Sequence, residues 1–98
     1  MAAVRIVVVI KAKPGSEAII AKTIAALGAT SPSDPGCVSY ESFASVGRRG
    51  EFVTIETWES QADLDAHLAS ATIQNAIVAV MDHLDGEPVT HVLGPVEG

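Results

Sequence analysis

The run Val4 to Ala12, VRIVVVIKA, is β-branched and almost wholly apolar. Only a strand covered on both of its faces reads this way. Alternation puts Ile6, Val8 and Ile10 on one side and Val7 and Val9 on the other. The fold must therefore supply two covers for one short strand. A chain of 98 residues makes a single domain, residues 1–98, and buries only about 60–65% of the surface its unfolded form exposes. The second cover has to come from outside it.

The remaining pattern says what the first cover is. Lys13-Pro14-Gly15-Ser16 turns into a helix in which Ile19, Ile20, Thr23, Ile24 and Leu27 recur at helical spacing, with Gly28 as the expected stop. Thr30 to Gly36 is a loop with two prolines. Val38 to Ser45 alternates as a strand, with Val38, Tyr40 and Ser42 on one side and Ser39, Glu41 and Phe43 on the other. Gly47 to Gly50 closes a hairpin to a third strand, Glu51 to Trp58. Ser60 reads as an N-cap, and Leu64, His67, Leu68 and Ala71 then share one helix face. A further helix turns Ile73, Ile77, Val80, Met81 and Leu84 inward, Asp85 to Pro88 is a turn, and Val89 to Val96 is the last strand. The order β-α-β-β-α-α-β predicts an α+β, ferredoxin-like split β-α-β sandwich with a four-stranded antiparallel sheet. All helices fall on one face of such a sheet. A second copy of the same sheet is the simplest cover for the other, so a face-to-face homodimer, a dimeric α/β barrel, is expected.

Composition removes several functions. A net charge of -6 leaves nothing to neutralise phosphates, so nucleic acid is not an expected partner. Arg48-Arg49, between Gly47 and Gly50, reads as a solvated hairpin tip. The single cysteine, Cys37, excludes an internal disulfide and reads as a small core residue. Val4 to Ile10 is too short for a membrane span, carries Arg5 and lacks a cleavage site, so no membrane partner and a cytoplasmic location are expected. His83 and His91 have no ligand spacing to His67, and no metal site is expected. No glycine-rich phosphate loop, dinucleotide fingerprint or nucleophile elbow is present.

What remains is concentrated in EFVTIETWESQADLDAHLAS, Glu51 to Ser70. Phe52, Thr54, Glu56 and Trp58 point one way along the strand and Val53, Ile55 and Thr57 the other. A carboxylate on a core-facing side needs a partner or a cavity. Either Glu56 faces a pocket, or it lies on an edge and pairs with Lys11 or Arg5. His67, between Leu64 and Leu68, is either a satisfied core histidine or a titratable base. Together these residues predict a pocket between sheet and helices lined by Trp58, His67 and Glu56, with Tyr40 or Phe43 near its rim.

Asp34-Pro35-Gly36-Cys37 leading to Tyr40, Phe52 through Ser60, and His67-Leu68-Ala69-Ser70 resemble the antibiotic biosynthesis monooxygenase family over essentially the whole chain. The resemblance implies cofactor-independent oxygenation of a phenolic or quinol-type aromatic by O2, without metal, haem or flavin. A deprotonated, electron-rich substrate can itself reduce O2, so the protein need only bind the ring, remove a proton and exclude water. In the roles it implies, His67 is the base or hydrogen-bond partner, Glu56 the orienting group and Trp58 the wall, with Tyr40, Phe43, Phe52 and Leu64 as substrate contacts. The haem-degrading branch is associated with an asparagine on the first strand, which this chain lacks, so haem is disfavoured. The alternative is a non-catalytic dimeric module of the same fold that binds a small ligand or serves a structural role.

Overall fold

The computed structural model describes residues 3–97. Four strands, β1 (Val4–Lys11), β2 (Cys37–Ala44), β3 (Glu51–Trp58) and β4 (Val89–Leu93), alternate with α1 (Glu17–Thr30), α2 (Gln61–Ala69) and α3 (Ala71–Val80). The sheet order is β2-β3-β1-β4 and every pairing is antiparallel. This is the ferredoxin-like α+β sandwich. The apolar run Val4–Lys11 is accordingly one of the two central strands, flanked by β3 and β4.

All three helices pack on one face. On that inner face Ile6, Trp58 and Leu64 form one buried cluster, with Val4, Val8, Cys37 and Tyr40 against it. Ala12, Ile20 and Ile24 form a second, joined by Ile10, Phe52, Val80 and Leu84. The register places Val7 beside Ile55 and Val9 beside Val53 on the outer face, where Phe43 and Val89 are exposed.

Several local expectations are corrected. Gly28 does not stop α1, which runs on to Thr30; a Cβ at Gly28 would lie 3.3 Å from Ser42 Oγ, so this glycine lets helix and sheet approach closely. The chain from Ser31 to Ser33 forms a 3-10 turn inside the expected loop. A register shift between Cys37 and Ser39 displaces Val38, which is exposed, and it is Cys37 that joins Tyr40 and Ser42 on the inner face. Leu68, Ile77 and Met81, expected to face inward, are exposed. His83 is a structural clamp: its Nδ1 lies 3.0 Å from Ser16 Oγ, and its carbonyl accepts from the Lys13 amide at 2.9 Å. Among the described residues no helix is long and apolar enough to cross a membrane.

Candidate active site

Strand alternation puts Thr54, Glu56 and Trp58 side by side on the inner face, and all three are buried. Glu56 is satisfied from its own strand. Thr54 Oγ1 donates to Oε2 at 2.9 Å and Trp58 Nε1 donates to Oε1 at 3.0 Å. Neither alternative partner is on this face, because Arg5 and Lys11 alternate with the inward Ile6 and Ile10. A buried carboxylate with two donors avoids the penalty of an unpaired charge.

His67 comes near Glu56 because only two residues, Glu59 and Ser60, separate β3 from α2. Ser60 caps it: Oγ accepts from the Asp63 amide at 3.2 Å and donates to Asp63 Oδ2 at 2.8 Å. Leu64 and His67, three apart, then face the sheet and are buried. At the other end Ser70 Oγ donates to the His67 carbonyl at 2.7 Å and accepts from the Ile73 amide at 3.3 Å, ending α2 and starting α3. The His67 ring lies over Trp58, centroids 4.4 Å apart and planes inclined 35°. Its Nε2 is 3.9 Å from Glu56 Oε1, beyond hydrogen-bond length.

The short contact is elsewhere. His67 Nδ1 lies 2.7 Å from Asp34 Oδ2. Asp34 belongs to the loop before β2, and sequence reasoning quoted it only as part of a motif. Its amide donates to Ser31 O at 2.9 Å, and its carbonyl accepts from the Cys37 amide at 3.1 Å. Gly36 adopts φ +79°, and a Cβ there would run into the Asp63 side chain. Its carbonyl also accepts from the Glu59 amide at 2.8 Å, so the loop is pinned to the β3–α2 junction. No helix or strand periodicity reports such a contact, which joins residues 33 apart.

Tyr40 sits edge-on to His67 at 6.0 Å between centroids. Burial, then the Glu56 charge, pushes its phenol up to about 12. The Cys37 thiol is also raised, by burial and then by Glu56 and Asp34, which keeps it protonated and a poor nucleophile. Leu64 packs with Ile6 and Trp58. Two expected substrate contacts are not here. Phe43 pairs with Val53 on the outer face and is 47% exposed. Phe52 shares the inner face but packs in the Ala12–Ile20–Ile24 cluster at the other end.

The expected pocket is displaced as well. A cavity of about 220 Å3 lies between sheet and helices, walled by Ile10, Ile24, Leu27, Ile73, Ile77 and Leu84 among others. None of Trp58, His67 and Glu56 lines it. Apart from Thr23, its side chains are apolar.

Comparison with known proteins agrees with this architecture. The sequence signature of the antibiotic biosynthesis monooxygenases matches residues 3–79. The chain belongs to the antibiotic biosynthesis monooxygenase family. A Pseudomonas aeruginosa crystal structure superposes with a TM-score of 0.91 at 21% identity, covering 99% of this chain and 97% of its own. A Mycobacterium tuberculosis structure gives 0.89 at 24%, covering 99% and 98%. At these identities the likeness speaks to fold alone. A Caulobacter crescentus structure ascribed to the same monooxygenases gives 0.86 at 26%, covering 97% and 91%. No protein of curated function matches by sequence.

Proposed function

We propose that this protein oxygenates a phenolic or quinol-type aromatic with O2, using His67 as the base. The observation that carries this is a buried imidazole stacked on the only tryptophan, with a carboxylate beyond each ring nitrogen at 2.7 and 3.9 Å. Proton removal turns the substrate into an electron-rich anion able to reduce O2. For a quinol, one oxygen atom bonds to a ring carbon and the other leaves as water, all electrons coming from the substrate, which ends as the hydroxylated quinone. The base returns its proton in forming that water.

The apolar cavity supplies room for the ring. About 150 Å3 suffices for benzene, so some 220 Å3 suits a single substituted ring in this state of the protein. Delivering the ring hydroxyl to His67 requires the packed side chains that now keep it off the cavity wall to move aside. The outer face, with Val7, Val9, Val53 and Ile55, is suited to a second copy of the sheet, and a homodimer is part of the proposal.

Oxygen uptake with a panel of hydroquinones and anthrones tests the reading. Single-ring quinols are consumed in preference to three-ring anthrones, and His67→Ala lowers the rate by about 100-fold. Uptake unaffected by the substitution removes His67 from the chemistry. One observation favours a second reading, a non-catalytic module for a small apolar ligand: Trp58, Glu56 and His67 are packed shut, and the cavity is lined without them. Ligand binding without oxygen uptake by any substrate selects that reading.

A further inference from the structure

We infer that Asp34 is a positioning residue that fixes His67 in the tautomer carrying its proton on Nδ1, leaving Nε2 as the nitrogen that accepts a proton. The chemical use of that nitrogen rests on the oxygenase reading; the tautomer is a property of the resting protein.

A carboxylate offers only acceptors, so a 2.7 Å contact between Asp34 Oδ2 and His67 Nδ1 requires the hydrogen on Nδ1. With the proton on Nε2 instead, the Nδ1 lone pair would face a carboxylate oxygen at that distance and the hydrogen bond would be lost. The second carboxylate cannot reverse this preference. Glu56 Oε1 is 3.9 Å from Nε2, and both Glu56 oxygens already accept from Thr54 and Trp58. The other neighbours of the ring do not compete either. Trp58 presents its face and spends its N–H on Glu56, and Tyr40 meets the ring edge-on at 6.0 Å. Asp34 alone decides which nitrogen is free, and the free one faces Glu56 and the interior.

Exposure fits the role. The Asp34 side chain is 36% exposed whereas that of His67 is 3% exposed. The carboxylate is partly open to water, while the ring it holds is almost wholly shielded. When Nε2 takes up a proton, the imidazolium lies between Asp34 and Glu56 and its charge is offset on both sides. The three hydrogen bonds that pin the Ser31–Cys37 loop, together with the approach of Gly36 to Asp63, hold the carboxylate in place.

The test is the long-range 1H–15N spectrum of protein labelled at its three histidines, taken with the rings neutral and assigned through His67→Gln. In the wild type, His67 Nδ1 gives the protonated-nitrogen shift and Nε2 the bare-nitrogen shift. Asp34→Ala, which removes the acceptor, releases the Nδ1 proton, and the ring protonated on Nε2 becomes populated. With a quinol that the wild type consumes, the same variant loses about 100-fold in kcat with KM little changed. A wild-type proton on Nε2, or a ring that keeps its proton wholly on Nδ1 in Asp34→Ala, overturns the inference; full activity with the altered tautomer overturns its role in turnover. Should Asp34→Ala not fold, the wild-type spectrum decides alone. If the tautomer behaves as stated and no substrate is consumed by the wild type, Asp34 keeps its role and the oxygenase reading fails.

Discussion

The two ends of the inner face are built on opposite principles. Around Trp58, polar groups are buried and joined: Thr54 and Trp58 to Glu56, His67 to Asp34, Ser70 to the His67 backbone. None of Trp58, Glu56 and His67 lines the apolar cavity. Around Ile20 and Ile24 the side chains are apolar, and the space between them is incompletely filled. The difference follows from what each kind of group tolerates. A buried polar network left partly unsatisfied costs free energy at every open atom, so it is driven to close. An apolar lining forfeits only dispersion and transfer energy around a void. The polar network and the apolar cavity are thus separated along one sheet, with Ile73 lining the cavity only six residues after His67.

The largest effect that sharpens this contrast is expected at Trp58. Trp58→Ala removes a fully buried ring and leaves Glu56 short of a donor, and about 3–5 kcal/mol of stability is lost. Urea unfolding measures it. A loss below about 1 kcal/mol would mean that the joined end is as forgiving as the apolar one.

A smaller effect comes from Tyr40, the only tyrosine, so ultraviolet titration reads it without assignment. The unfolded chain releases its phenol proton near 10 and the folded protein near about 12. Between these values the unfolded state binds fewer protons, so stability is intact below pH 10 and falls as pH rises toward 12. Tyrosinate appearing near pH 10 in folded protein would show that the phenol is neither buried nor under the Glu56 charge.

The smallest effect belongs to the other end. Ala76 lines the cavity, and Ala76→Leu fills part of it, raising stability by about 1 kcal/mol and weakening quinol binding. A loss of more than about 1 kcal/mol would mean that this region is already fully packed.

Much of this was legible in the residues. The apolar run from Val4 announced a strand, and the alternation of β3 with the Ser60 cap brought Glu56, Trp58 and His67 together. Phe43 shows alternation outranking an intuition about pocket rims, since period two had already set it opposite Tyr40. Phe52 lies on the expected face but four residues before Glu56, too far along the strand to meet His67. Asp34 was not legible because a loop carries no period, and its reach depends on a turn that closes only in the folded chain. The cavity was not legible because a void is the remainder after side chains pack, and no single residue encodes it.

The central claim is that His67 is a working proton site against Trp58 rather than an inert core side chain. Oxygen uptake with a single-ring quinol is compared between the wild type and His67→Gln, and the emission of the one tryptophan checks that the variant keeps Trp58 buried. Uptake falls about 100-fold in His67→Gln while the emission maximum stays in place. Equal uptake by the two folded proteins would contradict the account.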